Sequence, residues 1–222
     1  MTTLGIIGSG MIGGTVARLS VAAGYRVVLS NSRGPETLAE LAAELGPLAT
    51  AGTAAQAAEA GDLVLVSVPV KAFGELPVKP LTGKPVMDTG NYYPQRDGNL
   101  AELDTGALTS SGLLQRDLPD AQVVKVFNNI LFRHLRWLAR PSGADDRSAL
   151  PIAGDSEQAK AAVTAFLDSI GYDAVDGGPL ADSWRQEPGT PVYGSPYGPF
   201  SDEAGTPAGA PRIRADLVGA LR

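Results

Sequence analysis

The stretch that most constrains this chain is a glycine-rich turn, Gly8-Ser9-Gly10-Met11-Ile12-Gly13, set between two apolar runs. Leu4-Gly5-Ile6-Ile7 leads into it and Thr15-Val16-Ala17-Arg18-Leu19 opens a helical stretch after it. A second apolar run, Tyr25-Arg26-Val27-Val28-Leu29, follows and ends in Ser30-Asn31-Ser32-Arg33-Gly34. Strand, glycine turn, helix, strand is the βαβ unit that binds a dinucleotide. Gly8 permits a tight turn that a Cβ would obstruct. Gly10 lets the backbone approach a pyrophosphate, and Gly13 lets the helix pack closely on the strands. The helix N-terminus near Met11 and Ile12 supplies free N–H groups and a positive dipole end for phosphate. Ser9 completes the set of expected cofactor contacts along this turn.

The end of the second strand selects among dinucleotides. An NAD site carries Asp or Glu about 20 residues past the glycines to accept from the ribose 2′-OH. Here that place holds the neutral Asn31, followed by Ser32 and Arg33. A carboxylate repels a 2′-phosphate, whereas a guanidinium and a hydroxyl attract it. The residues therefore point to NADP(H), with Arg33 as the main phosphate ligand and Ser32 beside it. The alternative for Arg33 is a solvated loop arginine.

Composition narrows the class. The 222 residues carry 18 Lys and Arg against 24 Asp and Glu, a net charge of −6 that argues against a nucleic-acid partner. With no cysteine and His134 as the single histidine, thiolate catalysis, disulfides and a His or Cys metal cluster are excluded. No apolar run approaches the roughly 20 residues of a membrane span. The start of the chain lacks a basic leader. The expectation is a cytoplasmic protein acting with a small-molecule second substrate.

The rest of the chain reads as an α/β alternation. Pro35 to Leu45 and Thr53 to Ala60 have helical patterns, and the Val-rich run Asp62 to Pro69 reads as a buried parallel strand. Val68 and Pro69, at its carboxyl end, either wall the nicotinamide or merely end the strand. Lys84 to Asp88 and Gln122 to Phe127 are further strands. Asp88 reads first as an Asx-turn partner of the residues after it. Asn91 and Asn128 sit at strand ends with both donor and acceptor groups, Tyr92 and Tyr93 offer aromatic faces, and Lys125 needs a partner inside its apolar run. His134 lies on a helical stretch as either a proton carrier or a packed residue.

Residues 139–148 read as a linker. This divides the chain into a Rossmann domain at 1–140 and a smaller C-terminal domain at 149–222. Within the latter, Ala149 to Gly154 is expected as a sheet-edge strand, because Pro151 donates no hydrogen bond. A helix opened by Asp155-Ser156-Glu157, a strand at 172–176 and a terminal helix from Arg212 to Arg222 complete it. Residues 185–211 form a Pro/Gly-rich segment, either a flexible tail or an extended arm on a partner surface or an active-site rim. Tyr193, Tyr197 and Phe200 favour the arm.

These residues together make the chain resemble the F420-dependent NADP reductase family. The resemblance rests on Gly8–Gly13, Ser30-Asn31-Ser32-Arg33, Val66-Ser67-Val68-Pro69 and Lys125-Val126-Phe127-Asn128, and later on Gly154-Asp155 and Asp176-Gly177-Gly178-Pro179-Leu180. It implies a doubly wound Rossmann-type sheet with a smaller C-terminal domain, a homodimer, and hydride transfer between NADP(H) and coenzyme F420. Under it Ser32 and Arg33 bind the 2′-phosphate, Ser9, Met11 and Ile12 the pyrophosphate, and Val68 and Pro69 lie near the nicotinamide. The segment after Trp184 departs from the family pattern, which keeps two alternatives open. One is an NADPH-dependent reductase of an imine or carbonyl compound, with Asn91, Asn128, His134, Tyr193 or Tyr197 supplying polarisation or a proton. The other is a protein that senses NADPH without turnover.

Overall fold

Strand β1 (Thr3–Ile7) pairs in parallel with β2 (Arg26–Ser30) on one side and with β4 (Leu63–Val66) on the other. This is where a doubly wound sheet reverses its winding and leaves a crevice at the strands' carboxyl ends. Beyond β2 lies β3 (Ala49–Ala51); beyond β4 lie β5 (Pro85–Asp88) and β6 (Gln122–Lys125), all parallel. The computed structural model describes residues 1–221, so Arg222 of the expected terminal helix lies outside the described residues.

Seven α-helices of six residues or more lie among the described residues: α1 (Met11–Ala22), α2 (Ala39–Leu45), α3 (Ala54–Ala60), α4 (Ser110–Asp117), α5 (Phe132–Trp137), α6 (Glu157–Ser169) and α7 (Ala210–Val218). Thr53 and Gln56 close a reciprocal capping box at the start of α3. Helix α3 then lies so close to β1 that a Cβ on Gly5 would stand 2.0 Å from the Ala57 carbonyl oxygen. Gly5 is thus a packing requirement as strict as those of the turn after it.

The C-terminal segment joins the same sheet. Strand β7 (Ala149–Gly154) runs antiparallel to β6 through Val124↔Gly154 and Lys125↔Ala153, and β8 (Asp173–Asp176) pairs in parallel beyond it. The strand order is β3-β2-β1-β4-β5-β6-β7-β8. The expected edge position of Ala149–Gly154 is corrected: β7 is internal, and the edge is β8. Pro151 is tolerated because the β6–β7 ladder touches only the end of β7, beyond the missing N–H. The boundary near residue 140 falls in the connection before β7, yet one sheet crosses it. A core cluster likewise runs from Leu4 and Val16 through Phe127 and Phe166 to Ile213 and Leu217.

The segment 185–211 packs on its own chain. Val192 and Tyr197 are fully buried, the Gly194 N–H donates to the Asn129 carbonyl at 2.8 Å, and the Ala149 N–H donates to the Ala208 carbonyl at 2.8 Å. Of the two alternatives read from sequence, the flexible tail is corrected and the arm stands.

Candidate active site at the glycine turn and the carboxyl ends of β5 and β6

The three glycines of the turn are needed for different reasons. Gly8 has φ +101°, and a Cβ there would lie 2.2 Å from the Ser67 carbonyl oxygen. At Gly13 a Cβ would lie 2.0 Å from the Gly8 carbonyl oxygen. Gly10 has φ −78°, and its Cβ would meet nothing within 4 Å. The chain's own packing therefore requires Gly8 and Gly13 but makes no demand at Gly10. Open space there is what a ligand pressed against the backbone needs.

Helix α1 has no side-chain cap and no acidic residue in its first turn. The Gly14 N–H bonds the Gly10 carbonyl at 2.7 Å, so the N–H groups of Met11, Ile12 and Gly13 precede the helical ladder and remain for an anion. Ser9 is differently placed. Its N–H and its hydroxyl both donate to the Ser30 carbonyl at 3.0 Å, and the Gly8 N–H joins them. This convergence ties the turn to the end of β2.

That end carries the loop of Asn31, Ser32 and Arg33. Asn31 Oδ1 accepts from the Arg33 N–H at 2.9 Å, and Asn31 Nδ2 donates to Thr37 Oγ1 at 2.9 Å. The Asn31 side chain thus shapes the loop, with Thr37 as a helper that sequence spacing did not reveal. Ser32 and Arg33 are exposed, and neither side chain is engaged by a neighbour among the described residues. Val68 stands beside Gly8, with its Cγ1 3.0 Å from where a Gly8 Cβ would be, and it and Pro69 are half-buried at the end of β4.

A cavity of about 270 Å³ opens next to the turn. Met11 and Ile12 form one wall; Thr89 and Asn91, after β5, form another. Phe127 to Phe132, after β6, form the floor, and Tyr193, Gly194 and Phe200 of the arm close the side. Phe127 takes φ 64°, unusual for a residue with a Cβ, while its buried ring meets Phe166 edge-on at 6.5 Å.

Three of the five candidates, Asn91, Asn128 and Tyr193, line this cavity. Asn91 Nδ2 donates to the Asn128 carbonyl at 2.8 Å, and Asn128 Nδ2 donates back to Asn91 Oδ1 at 2.9 Å. Gln186 completes the cluster by donating to Asn128 Oδ1 at 3.0 Å. The other two lie elsewhere. His134 is buried, with Nε2 donating to the Asp202 carbonyl at 2.8 Å, and Tyr197 donates from the core to the Ala149 carbonyl at 2.8 Å. Both pin the arm and neither lines the cavity. The ionisable side chain that does line it is Tyr193, whose hydroxyl is 2.6 Å from that of Tyr93. Burial, with the Tyr93 hydroxyl adding to it, pushes the Tyr193 phenol well above its ordinary range, so it stays protonated near neutral pH.

Beneath the cavity Lys125 finds its partners. Its fully buried Nζ donates to the Gly90 carbonyl and Ser110 Oγ at 2.8 Å and to Ser111 Oγ at 3.0 Å, with the Asp88 and Glu187 carboxylates 3.8 Å away. Asp88 accepts from the Gly90 N–H at 2.7 Å, the Asx turn expected of it, and from Ser111 Oγ at 2.6 Å. Glu187 accepts from Ser110 Oγ at 2.7 Å. Sequence reading missed Ser110, Ser111, Gln186 and Glu187, since no local pattern marks partners so distant in the chain.

Comparison with known proteins fits this geometry. Residues 3–92 match the profile of the family described as NADP oxidoreductase, coenzyme F420-dependent. A structure of the protein SMa0349 from Sinorhizobium meliloti is 30% identical with a TM-score of 0.75, over 86% of this chain and 93% of that one. The chain belongs to the coenzyme F420-dependent NADP oxidoreductase family. The family match spans the glycine turn, the Ser32–Arg33 loop and the end of β5. The fold is shared with a protein of Arthrobacter sp. FB24, at TM-score 0.68, 22% identity, 82% of this chain and 87% of that one. YjhV of Escherichia coli (strain K12) is 40% identical over 53 residues, which are 24% of this chain and 39% of that protein.

Proposed function

We propose that the protein is an NADP(H)-dependent oxidoreductase that passes a hydride between the nicotinamide and a second ligand, coenzyme F420, held in the cavity. The observation that carries this reading is the cavity itself. It is largely apolar, it adjoins the anion-ready turn, and its ionisable lining group is a tyrosine held protonated. Such a wall suits chemistry in which the bound cofactors supply the reactive carbon centres and the protein supplies position and dryness. Phe127, Ile130, Leu131 and Phe132 exclude water, while the paired amides of Asn91 and Asn128 give fixed polar groups at the rim. The choice of NADP(H) rests on Ser32 and Arg33, two disengaged groups suited to a 2′-phosphate on a loop without a carboxylate.

The test is to mix the purified chain with oxidised F420 and either NADPH or NADH, following the deazaflavin absorbance. Rapid bleaching with NADPH and little with NADH supports the reading; bound NADPH without bleaching removes F420. The Tyr93–Tyr193 hydroxyl pair favours one second reading, reduction of an imine or carbonyl compound with Tyr193 as proton donor. In that case Tyr193→Phe lowers kcat by about 10²-fold or more, whereas hydride exchange between two rings leaves kcat nearly unchanged. A homodimer belongs to the same proposal and is checked by light scattering.

A further inference from the structure

A second cavity, of about 470 Å³, opens beside the edge strand β8 and shares no lining residue with the cavity at the glycine turn. Strand β7 reverses the direction of the sheet and β8 follows it, so β8 ends at the opposite end of the sheet from that turn. Val175 of β8 and Leu217 of α7 supply a buried aliphatic floor, and Val218, 82% exposed, stands at the rim. Arg185 and Arg214 reach this opening from two separate elements, the 3₁₀ segment Leu180–Gln186 and α7.

The two guanidinium groups are open to a further acceptor. Arg214 is exposed and has no hydrogen bond or ion pair among the described residues. Arg212 of the same helix, by contrast, is paired with Asp216 at 2.6 Å. The Arg185 guanidinium lies 4.7 Å from the Trp184 ring centroid, and Asp182, at 3.9 Å, is beyond hydrogen-bond distance. A guanidinium laid on an aromatic face keeps its N–H edge for an anion. The carboxylate of the lining, Asp176, is already engaged. Lys160 Nζ donates to its Oδ2 at 2.7 Å, and the Gly178 N–H donates to its Oδ1 at 2.9 Å.

We infer that this cavity is a second ligand site, built for a small organic anion. Its carboxylate or phosphate is taken by Arg185 and Arg214, and its aliphatic body lies on Val175, Leu217 and Val218. Charge and apolar area act there on different parts of one molecule. A neutral aliphatic compound lacks the guanidinium contacts, and a bare anion lacks the floor. The site is independent of the hydride chemistry and of which second ligand the cavity at the turn accepts.

The chain's two tryptophans are Trp137 and Trp184, so Trp137→Phe leaves Trp184, beside Arg185, as the single reporter. The experiment follows its fluorescence while the Trp137→Phe chain is titrated with hexanoate, hexyl phosphate, hexanamide and inorganic phosphate. At least one alkyl anion should give a saturable change at a concentration about tenfold or more below that of hexanamide or inorganic phosphate, the worth of charge-assisted hydrogen bonds joined to apolar burial. The tighter of the two identifies the headgroup. Adding Arg214→Gln, at an exposed position, should abolish the preference over hexanamide with the melting temperature within about 2 °C of the parent. Adding Val218→Glu instead, which brings a carboxylate to the rim, should weaken the anion by about tenfold. No saturable change, an equal response to hexanamide or to inorganic phosphate, or a preference that survives Arg214→Gln would overturn the proposal. So would a Val218→Glu chain that binds the anions as the parent does but loses self-association in light scattering, which would assign the exposed rim to contact between copies.

Discussion

Gly10 differs from Gly8 and Gly13 in that nothing in the folded chain presses on it. Gly10→Ala should therefore leave the melting temperature within about 2 °C of the parent, since the change removes no contact. It should weaken NADPH binding by about tenfold or more by blocking close approach of the pyrophosphate. Calorimetric titration beside a thermal melt checks both, and unchanged affinity would remove the dinucleotide from the turn. Gly13→Ala should instead unfold or strongly destabilise the chain. At the neighbouring loop, Arg33→Ala should raise the Kd for NADPH by about 10- to 100-fold, the loss of a charge-assisted pair, and leave NADH almost unchanged. Equal losses for both would contradict the 2′-phosphate assignment. These residues were legible in the sequence because their spacing within one βαβ unit carries the whole argument. Asn31 was legible as the neutral residue at the end of β2, but its bond to Thr37 depends on how the loop turns, which composition does not encode.

At the scale of elements, apart from the three-residue β3 and helix α4, which were not read, the strands and the longer helices of the first 130 residues follow from apolar runs and glycine punctuation. The C-terminal arm does not, because its Pro and Gly residues suppress any period while its aromatic side chains bind distant carbonyls. Tyr197 is held by Ala149, and His134, on α5, holds the arm through Asp202. Tyr197→Phe should consequently cost stability of about 1–2 kcal/mol, the bond donated to the Ala149 carbonyl and the one accepted from Asn129 Nδ2, with kcat within a few-fold of the parent. A loss of kcat of about 10²-fold with unchanged stability would return Tyr197 to the chemistry. Lys125 is the firmer clamp, joining β5, β6 and α4 to the start of the arm. Lys125→Met strands the Asp88 and Glu187 carboxylates without their cation, and urea unfolding should show a loss of about 3–5 kcal/mol. A lysine within an apolar strand announces that a partner exists, yet Glu187 lies 77 residues from Ser110 and is located only by the fold.

For the whole molecule, the continuous sheet and the core shared by β1, α1, α6 and α7 join both ends of the chain into one cooperative unit. Scanning calorimetry should give a single transition with matching calorimetric and van't Hoff enthalpies; two separable transitions would contradict this. The Pro151 signal pointed to an edge because a proline argues locally, whereas the pairing of β7 on both sides is decided by the length of its contact with β6. The same assembly brings the glycine turn, the ends of β5 and β6 and the arm around one largely apolar cavity, which is the basis of the functional reading. The most direct measurement of that reading uses NADPH with both hydrogens at nicotinamide C4 replaced by deuterium, incubated with the protein and oxidised F420 in ordinary water, with mass spectrometry of the reduced deazaflavin. Deuterium retained in the product is the predicted result. Reduced deazaflavin free of the label, or none formed while NADPH stays bound, would contradict it.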